Sequence, residues 1–223
     1  MDPADRTLRA EGVEAMPAGL WERLRARPER APELLALAAA ERFAAPAARW
    51  VELHGTGARS ARLARRKHAR LSTLEGAALG IGGWVTAAAD LAALVWIQSR
   101  MVFFIAAAYG FEPGHPMRPA ELLALQDVYE TPAEARAALD GLGAPLAWRL
   151  VERGLSSGGD EQLARKLLLL TGRRLARKGA LRLIPLLASP INAAANRAAT
   201  NALALRALRY YGGEHENVQH RPL

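Results

Sequence analysis

The polar side chains with the clearest chemical potential sit where chemistry is least expected, inside the apolar stretch "LEGAALGIGGWVTAAADLAALVWIQSRMVFFIAAAYG" from Leu74 to Gly110. Thr86 and Asp90 are four residues apart in it, so on a helix they share one face, a turn apart. Among alanine, leucine and valine a carboxylate must be paired or hydrogen-bonded, since an unpaired buried charge is neutralised or destabilises the fold. A second polar set lies in "SPINAAANRAATNAL", where Asn192, Asn196 and Thr200 recur every four residues among alanines. That spacing keeps them on one helical face with only about 40° of drift per step. Two uses fit such a ladder: an interhelical hydrogen-bond network with Asp90, or a pocket that holds a ligand head group. His68 joins the candidate cluster through a pairing with Asp90 or Glu75.

Familiar catalytic arrangements are missing. The chain has no cysteine, which removes thiolate nucleophiles, disulfides and thiolate metal sites. "HENVQH" near the end sets His215 and His220 five apart, whereas a helical zinc-protease pair needs four, so no metal site is expected. No G-x-S-x-G elbow occurs. "GAALGIGG" lacks the Lys-Ser/Thr of a phosphate-binding loop and the preceding strand of a dinucleotide fingerprint. No cofactor is implied.

Charge is more informative by position than in total. The net charge is +8, yet residues 54–74 hold Arg59, Arg62, Arg65, Arg66, Lys67 and Arg70 without an acid, and residues 162–213 are again basic and acid-free. The rest of the chain leans acidic. Arg62, Arg66 and Arg70 recur every four residues, and Lys166, Arg173 and Arg177 share one side of a later helix. If the two blocks meet they form one cationic face suited to phosphate. Aromatic residues are not interleaved with these arginines as base-stacking platforms would be, so an anionic membrane surface or lipid is expected rather than a specific nucleic acid.

The elements that position these groups are helical. Alanine, leucine and arginine dominate and β-branched residues are scarce, so propensity predicts an all-α, single-domain helical bundle with a central apolar, glycine-rich helical hairpin. Residues 1–58 read as an N-terminal helical extension with a loose beginning, 59–213 as the main helical domain, and 214–223 as a disordered tail. Pro28, Pro32 and Pro46 are each expected to restart a helix. Trp21, Leu34, Leu35, Leu37, Phe43 and Trp50 are the predicted core contacts of that region. "HGTG" at 54–57 is a break, and a basic helix follows from about Ser60 with Leu63, Leu71 and Leu74 as its apolar stripe. A short helix starts near Pro119. Thr131, Pro132 and Glu134 form an N-terminal capping signal. Gly76, Gly80 and Gly83 with Ala77 and Ala78 give a small-residue surface for close helix approach. The length of the apolar run permits a membrane span, but a central Asp costs about 2.5–3.5 kcal/mol while each Leu, Ile or Val returns only about 0.3–0.6. A buried core hairpin is therefore expected. The opening "MDPADRTLRAEG" has acids where a secretory leader has bases, which predicts a cytoplasmic protein, peripheral at the membrane.

The pattern "LEG…G.GG…T…AD…Q…IA..YG", the following "MRPAELLALQ" and the later "LIP…N…AN…T…A…YY" together resemble the EcsC protein family over about residues 60–213. That family is named for a protein encoded beside an ABC transporter. The resemblance implies a helical fold and a membrane-complex neighbourhood rather than a reaction. This chain has "LLASP" where the family pattern has glycines between the Ile-Pro and the Asn. Taken with the charge pattern, the expectation is a non-enzymatic, membrane-peripheral protein that binds lipid or a transporter-associated complex. The alternative is an enzyme of unrecognised type acting on a lipid or hydrophobic small molecule around Asp90, Asn192 and Asn196.

Overall fold

A computed structural model describes the backbone of residues 15–78, 83–141 and 189–219, and the side chains of 15–72, 91–141 and 196–213. Seven α-helices occur in the described residues: α1 (Leu20–Ala26), α2 (Ala31–His54), α3 (Ala58–Ala78), α4 (Gly83–Ala108), α5 (Arg118–Leu125), α6 (Pro132–Leu139) and α7 (Ser189–Gln219). A single 3₁₀ turn, Pro28–Arg30, links α1 to α2, and no strand occurs among the described residues. The protein is all-α.

Helix α4 is the centre. Its residues Leu91–Ala108 are long and apolar enough to cross a membrane, with a mean hydropathy of 1.8, yet 94% of that window is buried inside the protein. A helix apolar on every side must be surrounded, and here α2, α3 and α7 surround it. Phe43 of α2 lies 4.5 Å from Trp96 and 6.5 Å from Phe103 between ring centroids, and Trp50 lies 5.3 Å from Phe104. These pairs advance together along both chains, so α2 and α4 run parallel. Helix α3 runs the other way: Gly57 N–H donates to Ala108 O at 2.6 Å at one end, and His68 meets Arg100 toward the other. The apolar residues from Gly83 to Ala108 thus form one long helix, and its antiparallel partner is the basic helix α3, which takes up Leu74–Ala78 of the apolar run. Helix α7 runs parallel to α4, with Gln98 against Thr200 and Tyr109 against Gly212.

Several local expectations hold. Thr131 caps α6 by accepting from Glu134 N–H at 3.1 Å, with Pro132 at the first position. Helix α2 ends at His54, where Gly55 takes φ 72°, a left-handed value that favours glycine. Pro28 opens the 3₁₀ turn and Pro32 sits in the first turn of α2.

Three expectations are corrected. Pro46 does not restart a helix: it lies inside the continuous α2, buried against the core. Its ring removes one backbone bond, to the carbonyl of Arg42, and the long packed interface with α4 outweighs that loss. Leu37 is 40% exposed rather than core. It falls on the helical face of Glu41, Ala45 and Ala48, opposite Leu35, Ala39, Phe43 and Trp50. Finally, helix α7 carries through Gly212 and Gly213 to Gln219, where a disordered tail was expected. A Cβ on Gly212 would lie 3.2 Å from Tyr109 Oη, so glycine permits close approach there. Extending an existing helix is far easier than nucleating one, which lets it continue into the polar sequence. The loose first residues, the loop at 156–160 and the helix carrying Lys166 lie outside the described residues.

Candidate functional site

The buried polar centre is a histidine–arginine contact between α3 and α4. Arg100 Nη1 lies 2.8 Å from His68 Nε2, and His68 Nδ1 lies 2.7 Å from Ala64 O. A guanidinium only donates, so Nε2 must be the acceptor. The imidazole proton then sits on Nδ1 and is donated to the Ala64 carbonyl. His68 is wholly buried and Arg100 is 5% exposed. Phe104 closes the group, edge-on to His68 at 5.3 Å and beneath the Arg100 guanidinium at 4.3 Å. Burial first, then the Arg100 charge and more weakly Lys67, hold the His68 pKa down to about 3, against the opposing hydrogen bond to Ala64. Both ring nitrogens are engaged and the ring stays neutral at pH 7. It therefore has no lone pair to offer a substrate as a general base.

This arrangement sets a pH dependence. The folded pKa lies below the ordinary 6.5, so between those values the unfolded chain binds the proton and the folded protein does not. Stability is full above about 6.5 and is lost as pH falls toward 3. In urea unfolding between pH 6.5 and 5.5, above most carboxylate titrations, about 1 kcal/mol should disappear. His68→Gln should abolish that slope. An unchanged slope in the variant would refute a neutral buried imidazole.

Above this centre opens a cleft of about 190 Å³ between α2, α3 and α4. Arg100 and Phe104 form its floor, Trp50 a wall, and Arg49, His54 and Lys67 the rim. Local spacing builds the wall: Trp50 and His54 are one helical turn apart and their rings stack at 3.8 Å. The His54 Nδ1 contact to Trp50 O at 3.1 Å and the Trp50 Nε1–H donation to Ser60 Oγ at 3.0 Å fix both. Lys67 Nζ stands 5.5 Å from the Trp50 ring centre.

The sequence-predicted residues are divided by the fold. Thr86 and Asp90 lie on α4 and Asn192 on α7, but their side chains, with all of Lys166, Arg173 and Arg177, lie outside the described residues. Thr200 is buried and accepts from Gln98 Nε2 of α4 at 3.1 Å, whereas the ladder was expected to bond to Asp90, whose side chain lies outside the described residues. Asn196, one turn earlier, is half-buried. His68 belongs to the separate Arg100 group. Arg62, Arg66 and Arg70 are exposed along α3, joined by Arg59 and Lys67. Arg65 turns inward and donates to Asn201 of α7 at 3.1 Å. The cleft itself was missed. Its signals were the lone Arg100 in an apolar run and the Trp50–His54 spacing.

Two further polar groups brace the bundle. Arg118 pairs with Glu121, and Tyr211 Oη donates to the same carboxylate at 2.8 Å. Burial and that carboxylate push the Tyr211 hydroxyl well above its usual pKa of 10, so it remains a donor. Tyr129 Oη donates to the buried Glu33 at 2.6 Å, tying the loop after α5 to α2. No group of metal-ligating side chains occurs among the described residues.

No curated protein and no solved structure matches the chain significantly. A sequence model of the EcsC protein family matches residues 56–212, from the turn before α3 through the close approach of Gly212 to Tyr109. That span is more than half of the chain and takes in α3, α4 and most of α7, which pack together. The chain belongs to the EcsC protein family.

Proposed function

We propose that this protein is a non-enzymatic, membrane-peripheral protein that adheres to the anionic cytoplasmic face of a membrane through the outer surface of α3. The observation that carries this reading is the charge distribution on that helix. Arg59, Arg62, Arg66 and Arg70 are exposed, whereas Ala61, Ala64, His68 and Leu71 are buried against the rest of the bundle. No acid occurs from residue 54 to 74 to neutralise the face. Helix α7, packed beside α3, adds exposed Arg197 and Arg209. The burial of α4 favours surface adhesion over spanning, because its apolar side chains are already committed to packing.

Each basic residue near an anionic leaflet contributes about 1 kcal/mol. Four arginines would give about 4 kcal/mol, a hold in the millimolar range. Binding by this face is therefore reversible and depends on every charge. The test is flotation of the purified chain with vesicles of phosphatidylcholine alone or with phosphatidylglycerol added. The protein should rise only with the anionic vesicles. Equal flotation with both would set the proposal aside.

A further inference from the structure

We infer that the corner between α2 and α3 is the part of this protein that enters the membrane, with Leu53 passing below the lipid phosphates while the bases around it stay level with them. Leu53 is 79% exposed, against 44% for Leu205 and 40% for Leu37, the other large apolar side chains at the surface of the described residues. A solitary exposed leucine needs no explanation by itself. This one stands among cations from two helices. Arg42, Arg49 and Leu53 follow one another at spacings of seven and four, so they share one side of α2, and both arginines are exposed. Arg49 and Leu53 border the same cleft as Lys67 of α3, which is exposed next to Arg66 of the basic row. The exposed acids of α2 are turned away. Glu41 and Glu52 lie on the side of Leu37 and Ala48, and Glu52, one residue before Leu53, is rotated about 100° from it. An apolar tip inside a cationic rim is complementary to an anionic leaflet, whose charge lies at its surface with hydrocarbon beneath.

The corner is held in shape before any membrane is met. Gly55 at φ 72° and Gly57 at φ 100° turn the chain, and Gly57 N–H donates to Ala108 O at 2.6 Å. Trp50 Nε1–H bridges the turn to Ser60 Oγ at 3.0 Å, and the ring of His54, next in sequence to Leu53, stacks on Trp50 at 3.8 Å. Leu53 is thus presented on a fixed support, and its entry orders little further chain. No part of the core has to unpack, since the long apolar window of α4 stays 94% buried. Withdrawing one leucine side chain from water supports about tenfold in affinity. That is too little to hold the protein once its charges are screened, so adhesion still depends on them.

The entry of Leu53 rests on the proposed adhesion through α3 and fixes which edge of the bundle meets the bilayer. The chain has no cysteine, so Leu53→Cys or Leu37→Cys carries a single environment-sensitive nitrobenzoxadiazole label. Each labelled chain is mixed with vesicles of phosphatidylcholine alone or with phosphatidylglycerol added, with and without nitroxide-bearing acyl chains. With the anionic vesicles only, the label at position 53 should shift to the blue and be quenched by the nitroxides, and the label at position 37 should do neither. In flotation, Leu53→Ser should weaken binding to the anionic vesicles about tenfold and Leu37→Ser less than twofold. Both sites are exposed, so the melting temperatures should stay parental. If the parental chain floats with anionic vesicles while the label at 53 keeps its aqueous spectrum, or while Leu53→Ser binds like the parent, the inference is overturned and adhesion through α3 stands. Equal responses at 37 and 53 overturn it as well. A response at 53 with both kinds of vesicle keeps the corner as the point of entry and sets aside charge as what brings it there. If the parental chain floats with neither, both readings fall.

Discussion

Glu121→Ala is expected to lower stability by about 3–5 kcal/mol, because it leaves the Arg118 guanidinium buried without its carboxylate. Arg118 is 6% exposed and lies over the rings of Phe111 and Tyr211, at 5.2 and 5.6 Å. Its Nε is already buried without a hydrogen-bond partner, so the side chain has little to fall back on. The same substitution strips the Tyr211 hydroxyl of its acceptor. Tyr211→Phe, which removes only the neutral donor, should cost about 1 kcal/mol. The pair Arg118→Met/Glu121→Leu should recover most of the loss, since replacing both partners removes the desolvation penalty along with the attraction. Urea denaturation with an unchanged slope decides it. A Glu121→Ala midpoint within about 1 kcal/mol of the parent would show that this contact does not brace α5 against α7.

Reversal of Arg62, Arg66 and Arg70 to glutamate should weaken binding to anionic vesicles by at least a hundredfold. Deleting three charges forfeits about 3 kcal/mol, and the new carboxylates add repulsion. All three side chains are exposed, so the variant should unfold at the parental temperature within a few degrees. That separation of binding from stability identifies a surface effect. Retained binding in a folded triple variant would assign adhesion to other residues.

The readings that succeeded were local and periodic. Arg62, Arg66 and Arg70 fall on the exposed side of α3 because a four-residue repeat on a helix allows little else. Thr131 and Glu134 cap α6 because the motif closes within four residues. Pro46 misled for the opposite reason: its helix-breaking tendency is local, whereas the packing of Phe43 and Trp50 on α4, which holds α2 together, is not. The apolar stripe assigned to α3 through its leucines was too narrow. Ala61 and Ala64 are buried as well, since small side chains let α3 lie close to its neighbours, and His68 is buried against Arg100 and Phe104. Arg100 was visible as an intruder in an apolar run, but His68, which it meets, lies 32 residues earlier and nothing in either neighbourhood names the other. The cleft joins Arg49, Lys67 and Arg100 from separate helices, which no spacing rule along one helix can encode.

The central claim is that charge on α3, rather than an inserted apolar segment, brings this protein to a membrane. Its most direct test is flotation of the parental chain with phosphatidylglycerol-containing vesicles across a salt series. Screening shortens the reach of a surface charge from about 10 Å at 0.1 M to about 3 Å at 1 M ionic strength. The account predicts binding at low salt that falls steeply across the series and is absent at the top of it. Binding that persists undiminished at 1 M salt would contradict it, and would mean that apolar contact with the bilayer carries the interaction.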